Sequence, residues 1–231
     1  PLRLTMLTTR KQLSYVFPWW ASRVTWTMQT QLDRLIISFL YLPSVFAVYS
    51  CGAFQIPLFS LVTQSVFTAM MPNLVDLYDR GQQERVLWTW QEGTRKCSLV
   101  IFPVFFLLLP LSQDLMVLLY GEAYRQAAIP FVVNLFLLPL RVTIFSLLFR
   151  VTGRSKPILV SAVLGLVTQL IFSPALAYAG RDTWFGLAGP GIGSCLSNLV
   201  VTAYFLRCLS GDFSVSVGRI MRWGELLRLG V

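Results

Sequence analysis

Apolar residues along this chain gather into six long stretches, at residues 13–40, 46–71, 98–111, 130–149, 157–178 and 184–206, separated by short polar or basic connectors. About 20 apolar residues in helical form cover the roughly 30 Å of a bilayer's hydrocarbon, so each stretch predicts a membrane-crossing helix. The third is short by itself, and residues 115–120 either extend it or form a turn at the interface. The pattern predicts an all-α fold, a polytopic membrane helix bundle with six transmembrane helices over residues 1–210. The connector 72–97 mixes Asp76, Asp79, Arg80, Glu84 and Arg85 with Trp88 and Trp90, which reads as a solvated link with tryptophan anchors at the headgroups. In the tail, 211–231, Val217, Ile220, Met221 and Leu227 fall near one face and Arg219, Arg222 and Arg228 elsewhere, predicting an amphipathic helix on the membrane surface. Proline recurs within the spans, at Pro18, Pro57, Pro103, Pro110, Pro139, Pro174 and Pro190. Each removes a backbone donor and frees a carbonyl one turn earlier, which favours helices that bend.

Composition removes the soluble alternatives. Of 231 residues, 55% are hydrophobic and only 13% charged, with a mean hydropathy of +0.66, far from an ordinary soluble domain. A net charge of +9 would suggest nucleic acid in a soluble chain, but here the cations sit between apolar stretches, so no nucleic-acid partner is expected. One alternating set of ends and connectors holds fourteen of the 19 Lys and Arg, while the opposite set holds only Arg125 and Arg181. The excess of cations on the cytoplasmic side of membrane proteins then predicts that both ends of this chain are cytoplasmic. No signal-like stretch follows Pro1, and the expectation is a fragment that begins inside a longer protein. The four cysteines lack CxxC spacing and histidine is absent, so neither a disulfide, a metal site nor a cofactor is expected.

Polar residues inside the spans are the candidates for function. At 100° per residue, Ser22, Arg23, Trp26, Thr27, Gln29, Thr30, Asp33 and Arg34 share about 160° of arc on the first span. Val24, Met28, Leu32 and Leu35 occupy the other side. A charge at the bilayer centre costs about 2.5–3.5 kcal/mol, so the polar half must face protein or a watery cavity. Arg23 lies about 15 Å along the span from its cytoplasmic start, beyond easy reach of the interface, and is the leading cavity cation. Asp33 and Arg34 lie nearer the outer boundary and read equally as a structural charge network or a coupling site. On the fourth span Asn134 and Arg141 are seven residues apart and share a face. Gln55, Gln64 and Gln169 read as interhelical glue, and Gly186, Gly189, Gly191 and Gly193 as positions of close helix packing. Arginines facing a cavity bind anions, and pyrophosphate suits their planar forks. No nucleophile with its base, phosphate loop or set of metal ligands is present, so no catalytic residue is expected.

Four segments carry a family resemblance: QLDRLIISFL, then FAVYSCGAFQIPLFSLVTQSVFTAMMPNL, then LSQDLMVLLYGEAYRQAAIPF, and FGLAGPGIGSCLSN near the end. Over nearly all of residues 10–208 the chain resembles the C-terminal half of an oligosaccharide-lipid flippase of the Wzx type, within the multidrug/oligosaccharidyl-lipid/polysaccharide exporter superfamily. The resemblance implies one six-helix lobe of a two-lobe exporter, spans seven to twelve, in the bacterial inner membrane. It implies alternating access that moves an undecaprenyl-pyrophosphate-linked oligosaccharide outward, with the polyprenyl tail left among membrane lipids. Arg23 and Arg141 would meet the pyrophosphate, with Asn134, Thr27 and Thr30 as further cavity contacts and Pro18 as a hinge. A complementary N-terminal lobe, in the same chain or a second subunit, would be the partner. Rival readings are a drug/cation antiporter of the same superfamily, a membrane polymerase or transferase acting on lipid-linked sugar, and a structural scaffold. Asp33 is the one acid in the six predicted spans, which disfavours the antiporter, and the short outer loops disfavour an enzyme.

Overall fold

The computed structural model describes residues 6–54, 56–181, 183, 185–213 and 218, and every regular element among them is helical. Gln55, and the tail from 214 onward apart from residue 218, lie outside the described residues. In chain order the helices are α1 (Met6–Leu40), α2 (Pro43–Gly52), α3 (Pro57–Asp79), α4 (Gln83–Leu108), α5 (Ser112–Tyr120), a 3₁₀ helix (Glu122–Ala127), α6 (Ala128–Arg141), α7 (Phe145–Val151), α8 (Lys156–Ala179) and α9 (Phe185–Phe213).

Several predicted boundaries are corrected. The second stretch is two helices, because Pro57 opens α3 within its first turn, where its missing N–H has no intrahelical acceptor to lose. The fourth stretch is also two, broken at residues 142–144. The connector 72–97 is almost entirely helical: α3 continues through Pro72, and α4 begins just beyond a tight turn at 80–82. Gly81 makes that turn at φ 72°, its N–H donating to Tyr78 O and the Gln82 N–H to Leu77 O, both at 2.9 Å. Trp90 is therefore no interfacial anchor but a buried core residue of α4. Its ring packs 5.3 Å from Phe145, and its Nε1 donates to Ile144 O, a carbonyl of the α6–α7 break, at 3.3 Å. The third stretch joins α5 through a bend of 78° around Pro110.

Among the described residues three helical stretches are long and apolar enough to cross a membrane, Glu122–Val151, Lys156–Ala179 and Phe185–Phe213, and the bent pair α4–α5 makes a fourth if it is one span. α1 and α3 are not among these stretches.

Side-chain contacts fix the helix directions. α1 and α8 run parallel: Gln29 Nε2 donates to Ala162 O (2.8 Å), Gln169 Nε2 to Asp33 Oδ1 (2.9 Å) and the Tyr41 hydroxyl to Ala177 O (2.7 Å). α8 and α9 run antiparallel, with Ser197 Oγ donating to Gly165 O (2.7 Å) and Gln169 Nε2 to Ser194 Oγ (2.9 Å). α6–α7 runs with α9, pairing Val133 with Cys195 and Phe149 with Phe205. It runs against α4, pairing Phe105 with Phe136 and Phe145 with Trp90. α1, α4 and α8 thus point one way and α6–α7 and α9 the other, with α2–α3 as the return from α1 to α4.

One apolar core, around Trp90, Leu148, Phe149 and Leu209, ties α4, α7 and α9 together. A second, around Phe105, Met116 and Phe131, holds α5 and the 3₁₀ helix against α6. Bulky apolar side chains such as Phe39, Leu42, Leu118 and Tyr178 are exposed, as a lipid-facing surface requires.

Candidate functional site

The polar half of α1 needs polar company, and it finds it on α8 and α9. Small residues let these two helices touch: a Cβ at Gly189 would stand 2.7 Å from Ala177 N, and one at Gly193 would stand 2.7 Å from the Ser173 backbone. Gly165 opens the same kind of room for the Gln29 amide. Asp33 sits where the three helices meet. Its Oδ1 accepts from Gln169 Nε2 (2.9 Å) and Ser173 Oγ (3.2 Å), and its Oδ2 from Ser194 Oγ (2.5 Å). Gln169 also donates to Gln29 O at 3.0 Å, so it is the interhelical glue its sequence position suggests.

Beside this seam lies a cleft of about 650 Å³, walled by α1 on one side, α6–α7 on the other and α8–α9 behind. Arg23, Arg34, Arg141 and Arg150 all line it, and Asp33 is the sole acid among the described residues that do. None of the four arginines belongs to an ion pair among the described residues; the pairs formed are Arg80 with Asp76, Arg95 with Glu92, Arg125 with Glu122 and Arg154 with Asp212. The Arg23 guanidinium lies 5.6 Å from the Trp26 ring centre, and that of Arg150 4.6 Å from Trp19. Rings at this range hold a cation in place without neutralising it. Arg23 and Arg150 are close enough to repel one another, and Arg141 and Asp33 close enough to attract. Such a surplus of positive charge in a partly dehydrated cleft favours anions.

Most of the residues singled out in the sequence come together here. Arg23, Thr30, Asp33, Arg34, Asn134 and Arg141 line the cleft, on α1 and α6. Thr27 does not; its hydroxyl donates back to Arg23 O at 3.0 Å, within its own helix. Asn134 likewise donates to Pro130 O (2.9 Å) and Thr30 to Thr27 O (2.7 Å). α1 continues unbroken through Pro18. Gln64 is exposed and lies outside the cleft. Arg150, Trp19, Tyr49 and Asn198 also line it, although nothing in their sequence setting marks them as a group. Tyr49, in an apolar run, gives no sequence signal, whereas Trp26 and Gln29 are visible as members of the α1 polar arc.

A family model described as "Polysaccharide biosynthesis protein" matches residues 2–129. Comparison with curated proteins gives no match. Among solved structures, one titled "Lipid II flippase MurJ, inward closed conformation" superposes with a TM-score of 0.73 at 14% sequence identity, covering 100% of this chain and 48% of that one. The chain therefore spans about half the length of that structure, and at this identity the likeness is one of fold.

Proposed function

We propose that this chain, which belongs to the polysaccharide biosynthesis protein family, is one six-crossing lobe of a flippase that carries undecaprenyl-pyrophosphate-linked oligosaccharide across the bacterial inner membrane. It is a multi-pass membrane transporter rather than an enzyme. The observation that carries this reading is the charge balance of the cleft: four arginines without ion pairs among the described residues face one carboxylate that is already held by three donors. Guanidinium groups stay protonated in a low dielectric, and their forks match phosphate oxygens. Arg23, Arg150 and Arg141 would meet the pyrophosphate, with Asn134 and Thr30 beside it, while the polyprenyl chain stays in lipid. Pro18 would let α1 bend as the cleft opens to alternate sides, since the carbonyl one turn before it has lost its helical donor. A 650 Å³ cleft bounded by helices on three sides needs a second lobe to close it, and the solved MurJ flippase is about twice as long as this chain. Residues 1–210 would form the lobe and 211–231 a cytoplasmic surface tail.

The test is a translocation assay in cells lacking their own glycan-lipid flippase, supplied with the intact gene that encodes this chain. Arg23→Ala is expected to cut surface glycan at least tenfold at equal protein level, with lipid-linked glycan accumulating in the cytoplasmic leaflet. Full activity of Arg23→Ala, or no accumulation in the unrescued cells, would turn the reading toward an antiporter or a structural Arg23.

A further inference from the structure

At the end of the cleft away from Arg23, two donor groups stand without an acceptor among the described residues. Tyr49 of α2 is fully buried and lines the cleft, and its hydroxyl has no hydrogen-bond partner among the described residues. Buried hydroxyls are nearly always paired, because an unpaired one loses its water without compensation. The Asp33 carboxylate and the Arg34 guanidinium both lie near enough to Tyr49 for their charges to act on the phenol. Arg34 of α1 also lines the cleft and forms none of the ion pairs among the described residues. Its neighbour in sequence does not neutralise it, since the Asp33 carboxylate is turned toward Ser194, Gln169 and Ser173. A guanidinium has donors only, and a phenol has one proton to give. The ligand that fits both is an oxyanion, which accepts from each through a charge-assisted bond.

Arg23 and Arg34 are eleven residues apart on one helix, or about 16 Å at the helical rise. A single phosphate-sized group cannot reach both ends of that interval. The geometry points to a second oxyanion subsite at Arg34 and Tyr49, which receives a phosphoryl or carboxylate oxygen of the transported headgroup at the far end of the cleft. This rests on the cleft being the transport path, and it gives Arg34 a role distinct from any network with Asp33.

The intact protein containing this chain, reconstituted in nanodiscs, is titrated with radiolabelled inorganic pyrophosphate and separately with glucuronate. The wild type is expected to show two classes of anion site. Arg34→Gln and Tyr49→Phe each weaken one class at least fivefold, and Arg23→Gln weakens the other. Loss confined to pyrophosphate identifies a phosphoryl ligand, and loss that includes glucuronate identifies a carboxylate. Tyr49→Phe also leaves thermal stability unchanged or raised in the absence of anion. A packing role for the phenol predicts the same stability with no change in binding. Wild-type binding of both probes by Arg34→Gln and Tyr49→Phe overturns the subsite. If Arg23→Gln still loses pyrophosphate in that case, the cationic transport path stands; if it too binds normally, both readings fail.

Discussion

Asp33 accepts hydrogen bonds from Gln169 and Ser173 on α8 and from Ser194 on α9, so one side chain of α1 ties three helices together. Interhelical bonds of this kind contribute about 0.6–1.7 kcal/mol each in membranes. Ser194→Ala, which removes the shortest of the three, is therefore expected to lower unfolding stability by about 1–2 kcal/mol. Thr27→Ala, which loses only a bond to its own helix, should stay within about 0.5 kcal/mol of the wild type. Denaturant unfolding of the intact protein in detergent reads both, and equal effects would mean that Asp33 does not hold the seam. The acid itself is visible in the sequence as the one carboxylate in the six apolar stretches. Of its partners, Gln169 is legible as interhelical glue, whereas Ser173 and Ser194 look like any small residues that let helices approach. Arg150 is hidden for another reason. It lies among the cations that follow the fourth apolar stretch, and only the packing of α7 beside α1 shows that it lines the cleft, over the Trp19 ring.

At the scale of elements, the contact that fixes the site is α8 on α9. Gly189 has no room for a side chain: a Cβ would meet Ala177 N and Leu176 C at 2.7 Å, and these are backbone atoms that cannot swing aside. Gly189→Ala should separate the helices and destabilise the protein by about 1–3 kcal/mol. Gly211, on the same helix, has open space where a Cβ would stand, with nothing within 4 Å, so Gly211→Ala should be neutral or stabilise by up to about 1 kcal/mol. Thermal melts of the two variants decide it, and equal shifts would mean that the glycines do not set the helix spacing. The small-residue cluster is legible as packing, and so is the polar arc of α1. The helix breaks are not. Both occur in apolar sequence, where hydropathy gives no sign of an interruption, and the Ile144 carbonyl at one of them is satisfied by Trp90, which is far away along the chain. The same distance effect disguises Trp90 itself, because a tryptophan among charges looks interfacial until α7 is seen to cover it.

At the scale of the whole molecule, the helix directions and the charge pattern make one claim about orientation. The turns at Gly81 and Gly153 and the end of α9 lie where α4 begins and α7 ends, and the Arg154–Asp212 ion pair joins the second turn to α9 directly. Among the described residues that end carries Arg80, Arg85, Arg150, Arg154, Lys156 and Arg207, and cations near span ends mark the cytoplasmic side. It is also the end at which Arg23 and Arg150 enter the cleft, whereas Arg34 and Tyr49 lie toward the other. An anionic headgroup would then meet the Arg23 pair first on the cytoplasmic side and reach Arg34 only after travelling along α1. Reporter fusions in the intact protein test the premise. Fluorescent protein joined at Gly81 or Gly153 should glow, and alkaline phosphatase joined at Gly121 or Gly180 should be active, because the first folds only in the cytoplasm and the second only outside it. The inverse pattern would place Arg34 on the entry side and reverse the order in which the two ends of the cleft meet their ligand.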